Sequence, residues 1–180
     1  MIRKAKENDA KFICDLAEIL HIGKKGVTLK GFLVYVLPES GYFARIRLSK
    51  YFYVSENNNL IDGFLMSYNS KTLKDMQKKR LLSHEDGIMQ FVSNLPEPYI
   101  FADQIGVNPK TQQKGIGLTL WHKLFADMKK NKINVLYGAI LHKPICNKHS
   151  IDYHRKLGFV QVSEVKNKDN NIWGIYKYSI

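Results

Sequence analysis

Two glycines one residue apart, Gly115 and Gly117, stand in "VNPKTQQKGIGLTL" between an apolar run and a segment with helical spacing. Lacking side chains, they let a ligand approach the backbone closely. The first N–H groups of a helix starting there have no partner inside it and carry the positive end of the helix dipole, which suits a pyrophosphate. Lys114 and Lys110 add charge at the rim. A tight strand-to-helix turn with no ligand accounts for the same glycines. A Walker loop is excluded because no Gly-Lys-Ser or Gly-Lys-Thr follows, and GxGxxG fails because Leu120 stands at its third glycine. Downstream, Asn147, Ser150 or Ile151, and His154 recur at helical steps, a stripe that can face one ligand. Upstream, Asp103 is a candidate for proton transfer, and strand alternation puts it on the opposite face from Gln104. An Asp of ordinary pKa, ~3.9, is a poor base unless burial raises it or a water relays the proton. An Asp tied to a neighbouring loop explains Asp103 as well, and His142 is the other candidate base.

These residues need elements to hold them. "YIFADQIGV" reads as a strand, and "GIGLTLWHKLFADMKK" as a helix burying Leu120, Trp121, Leu124 and Met128. "NVLYGAILH" follows as a strand parallel to the first across a right-handed crossover. The helix "KHSIDYHRKL" ends at Gly158, a left-handed cap, and Phe159 returns to the core. "FVQVSEV" and "IWGIYKYSI" close the chain as a hairpin around "KNKDNN". Near the N-terminus "MIRKAK" is a short strand, and Asp9 caps a helix with Phe12, Ile13, Leu16, Ile19 and Leu20 on one face. "YFYVS" and "LIDGFLMSY" form a hairpin across residues 56–59. Residues 69–98 turn polar and basic and read as a helical insertion, whereas 21–50 mix a basic loop with an apolar run that fits helix or strand.

The whole chain sets the outer limits. Its 180 residues suit one domain over residues 1–180, and 44% hydrophobic with 24% charged residues is a globular composition. A formal charge of +12 favours anionic partners. With only Cys14 and Cys146 a disulfide framework is ruled out, which points to a reducing, cytoplasmic setting. No segment approaches the ~20 apolar residues that span a bilayer, so no membrane partner is expected. A zinc reading of His142, Cys146 and His149 fits no common finger spacing, and no metal is expected. The lysines are dispersed and carry no recognition motif, which argues against a basic nucleic-acid-binding module.

Gln112, Gly115 and Gly117 fill the defined positions of Q/R-x-x-G-x-G/A, and the segment resembles the acetyl-CoA signature of the GNAT superfamily of N-acetyltransferases. "NKHSIDYHRKLGF" from Asn147 is similar to the second signature, an Asn before a helix that carries an aromatic near its end and then Gly-Phe. The resemblance covers about Tyr99 to Phe159 closely. It implies an α/β (α+β) fold: a mixed, strongly twisted central sheet, helices on both faces, and a splayed pair of parallel strands. It further implies that pantetheine pairs with backbone around Ile105, Gly106 and Val107, while Gln112, Gln113, Lys114, Gly115, Ile116 and Gly117 hold pyrophosphate. Asn147, Ser150 and His154 would complete the cofactor site. The implied activity is transfer of an acetyl group from acetyl-CoA to a primary amine by direct attack, and a homodimer is compatible with it. The alternative within the fold is an acyl-CoA-binding protein without catalysis.

At the position usually held by the acid Tyr stands His154, with Tyr153 beside it, so both are candidate acids. "SIDYHRKLGF" resembles a poorly characterised GNAT branch carrying His there. An unperturbed His pKa of ~6.5, against ~10 for Tyr, makes it the readier donor near neutrality. A His that only hydrogen-bonds within the helix layer is the competing explanation.

Overall fold

Long runs of buried residues on consecutive positions mark strands covered on both faces. Tyr51–Ser55 are all buried within β2 (Tyr51–Asn57), and so are residues 62–68 within β3 (Leu60–Asn69). The computed structural model describes residues 1–23, 30–83, 86–112 and 114–180. Between β2 and β3, Asn58 and Asn59 both take positive φ, 49° and 61°. That is the two-residue turn whose twist matches paired strands, and asparagine tolerates it.

The other strands are β1 (Ile2–Lys4), β4 (Ile100–Val107), β5 (Val135–Lys143), β6 (Val160–Lys166) and β7 (Ile172–Ser179). They form one seven-stranded sheet in the order β1-β2-β3-β4-β5-β7-β6. Every pairing is antiparallel except β4 with β5. This is a GNAT-like mixed α/β architecture, as the resemblance implied.

Among the described residues six α-helices cover the sheet: α1 (Ala10–Leu20), α2 (Glu39–Leu48), α3 (Ser70–Lys78), α4 (Gly87–Ser93), α5 (Ile116–Lys130) and α6 (Lys148–Lys156). One core gathers Ile13, Tyr42, Leu73 and Val92 from α1 to α4 against one face, and the other gathers Leu120, Trp121, Leu124 and Ile151 from α5 and α6 against the opposite face. The predicted stripe on α5 is the buried one. On α1 the buried set is Ala10, Ile13, Leu16, Ala17 and Leu20, while Phe12 and Ile19 are exposed. The stripe of three- and four-residue steps runs through Ala17, and Phe12 and Ile19 flank it. Asp9 does not cap the helix with its side chain. Its carboxylate instead accepts from Arg3 Nη1 and Nη2 at 2.7 and 2.9 Å and from the Lys6 N–H at 2.7 Å. The 69–98 insertion holds α3 and α4; of 21–50, residues 39–48 are helix and the loop at 24–29 lies outside the described residues.

Two irregularities of β4 shape the site. Pairing with β5 spans only Ile100↔Leu136, Phe101↔Tyr137 and Ala102↔Gly138. Beyond Gly138, β5 continues paired to β7 alone, so the two parallel strands part. On its other edge β4 pairs Ala102 with Ser67 and Gln104 with Met66, which leaves Asp103 as an extra residue, a β-bulge.

Candidate active site

Where β4 and β5 separate, a cleft opens, lined by Ala102 and Ile105 of β4, Ala139 of β5, and Asn147, Ser150 and His154 at α6. Its volume to the open mouth is about 640 Å³. The backbone of β4 past Ala102 has no partner strand on this side. Gly106 lacks a side chain for a reason on the other face: a Cβ there would fall 2.7 Å from both Leu20 Cδ1 and Phe64 Cε1.

Past the strand the chain turns into α5 through Gly115, whose φ of 75° is left-handed. A Cβ at Gly115 would meet nothing within 4 Å, so conformation and not crowding calls for glycine. No side chain caps α5. At Gly117 a Cβ would sit 2.9 Å from the Tyr153 hydroxyl oxygen. That hydroxyl is buried and has no partner among the described residues, and burial pushes its pKa up to about 12. Tyr153 is absent from the cleft lining. Lys114 is exposed, Gln112 and Ile116 are half-buried, and Gln113 lies outside the described residues. An uncapped helix end, a gap that any side chain at Gly117 would fill, and an orphaned hydroxyl together fit the phosphate end of acetyl-CoA.

On α6, Asn147 is a structural hub. Its Oδ1 accepts from the Ser150 N–H at 3.3 Å, capping the helix, and its Nδ2 donates to the Phe32 carbonyl at 3.0 Å. His154 packs edge-on against Trp121 and Phe159, with ring centroids 5.5 and 5.0 Å apart. Its Nδ1 lies 2.7 Å from the Ser150 carbonyl, which only accepts, so Nδ1 carries the proton. Burial lowers the ring pKa to about 4, against the smaller opposing effect of that bond. The imidazole is therefore neutral at neutral pH, well below the unperturbed value expected from sequence. Nε2 is left as its acceptor atom, with no partner among the described residues.

Asp103 stands at the far end of the cleft. The bulge turns it to the same side as Gln104, contrary to simple alternation: Asp103 accepts from the Tyr35 hydroxyl and from the Tyr68 hydroxyl at 3.1 Å, and Gln104 donates to the Tyr35 carbonyl at 3.0 Å. Burial raises the Asp103 pKa; the hydrogen bond from Tyr35, the charge of Arg45 and the bond from Tyr68 oppose it. Its half-exposed surface faces the cleft and also a second cavity, lined by Arg45, Leu81, Ile88, Met89 and Phe101. Asp103, Tyr35, Ala139 and Trp173 line both. Tyr35, Arg45 and Trp173 have no signal in the sequence; the fold alone brings them to Asp103.

His142 lies apart from both cavities, its ring between Glu164 Oε2 at 3.2 Å and the Tyr176 hydroxyl at 3.1 Å. Among the described residues no three His, Cys, Asp or Glu side chains gather as a metal site. No helix is long and apolar enough to cross a membrane among the described residues.

The family model for acetyltransferases of the GNAT family matches residues 35–159, more than half of the chain. The chain belongs to the GNAT acetyltransferase family. Solved structures agree in fold with this GNAT chain. Ard1 from Thermoplasma volcanium superposes with a TM-score of 0.71 at 12% identity, covering 100% of this chain and 97% of that one. Naa50 from Arabidopsis thaliana, in complex with the bisubstrate analogue CoA-Ac-MVNAL, gives 0.67 at 11% identity over 100% and 98%. The protein yncA from Salmonella typhimurium, solved with its cofactor acetyl-CoA, gives 0.64 at 17% identity over 99% and 92%. A search of curated proteins found no match.

Proposed function

We propose that this GNAT chain is an acetyl-CoA-dependent N-acetyltransferase that moves the acetyl group to a primary amine by direct attack, in a ternary complex within one domain. The observation that carries the reading is the meeting of two cavities at Asp103: a cleft opened by the parting of β4 and β5 beneath an uncapped helix, and a side-chain-lined pocket beyond it.

Bound acetyl-CoA supplies an acyl group activated as a thioester. The backbone of Ile105, Gly106 and Val107 holds the pantetheine arm. Gln112, Lys114 and the N–H groups of Ile116 and Gly117 hold the pyrophosphate, Gln113 flanks this turn in sequence, and the orphaned Tyr153 hydroxyl donates to it. Asn147 and Ser150 fix α6 and the imidazole at the cleft wall.

Two protons must leave the ammonium nitrogen as its bond to carbon forms and the carbon–sulfur bond breaks. Asp103 takes the first and passes it to solvent; burial raises its pKa and makes the carboxylate a better base than a free Asp. The second goes to Nε2 of His154, which accepts because the ring is neutral, and from there to the departing sulfur. Negative charge beside the ring favours its protonated form at that moment. Thiol release with acetyl-CoA and a panel of amines tests the reading. Absence of turnover with every amine, while acetyl-CoA still binds, would instead make this an acyl-CoA-binding protein.

A further inference from the structure

Two residues that line the second cavity each carry a buried N–H donor that has no acceptor among the described residues. Arg45 is 6% exposed and lines it. Its Nη1 and Nη2 donate to the Gly41 and Leu81 carbonyls at 3.2 and 3.0 Å, while Nε has no partner. Among the described residues Arg45 takes part in no ion pair. Trp173 is 9% exposed, lines the same cavity, and its Nε1 is also without a partner. Arg45's charge is met by two main-chain carbonyls, the neighbouring Tyr68 hydroxyl and the nearby Asp103, but a buried donor left unpaired is costly on a guanidinium as on an indole. Both costs disappear when a ligand brings an anionic acceptor.

The acidic groups nearby have different tasks. Asp86 also lines the cavity, but its Oδ1 caps α4 through the Ile88 and Met89 N–H groups at 2.8 and 3.0 Å, and its Oδ2 accepts from Asn167 at 3.1 Å. Asp103 faces the junction with the cleft, and the Tyr68 hydroxyl lies next to both Asp103 and Arg45. One carboxylate where the cavity meets the cleft and two N–H donors on other residues of its lining make a pair of opposite sign. Most of the remaining wall, Leu81, Leu82, Ile88, Met89 and Phe101, is apolar, with Ser83 beside them. The cavity is open to solvent, and its space counted together with the mouth is about 620 Å³.

We propose that the acceptor is a free amino acid with an apolar side chain, its α-amine at Asp103 and its carboxylate on Arg45 Nε and Trp173 Nε1. This rests on the N-acetyltransferase reading above. A site built to hydrogen-bond a substrate group rejects analogues lacking it far more strongly than an apolar site rejects a changed methylene. A peptide N-terminus offers an amide where the carboxylate should be, and a simple amine offers nothing.

The test compares leucine, methionine and phenylalanine with isoamylamine, phenethylamine, phenylalaninamide and a phenylalanyl dipeptide, measuring acetyl-CoA-dependent thiol release and, separately, acetyl-CoA binding by thermal shift. The apolar amino acids should exceed the matched amines and the amide by ~10² or more in kcat/KM. Arg45→Met should remove that preference, and Trp173→Phe, which keeps the ring and loses the N–H, should raise KM severalfold for phenylalanine but not for phenethylamine. The comparison on the unaltered protein decides even where Arg45→Met fails to fold. If the amines, the amide or the dipeptide are acetylated as well as the amino acids or better, the inference falls and the acetyltransferase stands. If acetyl-CoA neither binds nor is turned over with any amine, the acetyltransferase reading falls first and the inference with it.

Discussion

The two cavities that share Asp103 are built from different materials. The cleft and the turn beyond it offer main chain, an unpaired strand edge, a glycine turn and the open end of a 15-residue helix, beside side chains of β4, β5 and α6. The pocket beyond Asp103 is lined by residues drawn from the segment holding Tyr35, from α2, from the loop after α3, from α4 and from β4, β5 and β7. Main-chain donors serve any molecule that carries the same phosphates, and little else along the chain has to cooperate. Side chains gathered from seven places fit one acceptor shape and charge, and each can change alone. Common cofactor binding with individual acceptor choice is the expected outcome of such a division.

That division predicts where substitutions act. The largest effects belong to the shared chemistry: Asp103→Asn and His154→Phe should each lower turnover by ~10²–10⁴ while the thermal shift given by acetyl-CoA stays close to that of the unaltered protein. Turnover by Asp103→Asn within a few-fold of wild type would move the base elsewhere. The pH profile gives a second check, since the rate should rise with pH through the raised pKa of Asp103 and then level.

Burial of His154 has its own signature in stability. The unfolded chain takes up this proton near pH ~6.5, whereas the folded ring resists until about pH 4, so the protein binds fewer protons than its unfolded chain across that window. Stability from this group is complete above ~6.5 and falls by up to about 3 kcal/mol as pH drops through 4. His154→Phe should flatten that fall in melting curves taken between pH 7 and 4; parallel curves would mean that the ring is solvated. Next, acetyl-CoA at ~100 times its dissociation constant should stabilise the fold by ~2.7 kcal/mol, and Gly117→Glu should abolish this gain by filling and charging the space beside Tyr153. The smallest effect is that of Tyr153→Phe. It should weaken acetyl-CoA binding about tenfold with kcat nearly unchanged; a collapse of kcat instead would make Tyr153 the acid.

What the sequence allowed one to read follows the same boundary. The α5 stripe, the closing hairpin, the Asn-led helix α6 and the left-handed Gly158, with φ of 94°, depend on local spacing and turn chemistry. The side of the strand on which Asp103 stands does not, because the bulge exists only against the register of β3. Neither does the pKa of His154, lowered by a burial to which Trp121 of α5 contributes from far along the chain. Phe12 and Ile19 show the limit of periodicity, since both are apolar and only the neighbouring Ala17 completes the buried stripe. Arg45 looked like one more cation among 28 lysines and arginines, and nothing local distinguishes a buried one.

The three residue pairs between β4 and β5 have a mechanical consequence. Among the described residues they are the one seam in the sheet between the four strands β1 to β4 and the three strands β5 to β7. A ligand arm lying along β4 past Ala102 would occupy the place of the missing strand and mend the seam by main-chain hydrogen bonds. Amide hydrogens from Gln104 to Val107 that face the cleft should then exchange rapidly with solvent in the free protein and slow markedly when acetyl-CoA is added, while those directed toward β3 stay protected in both states.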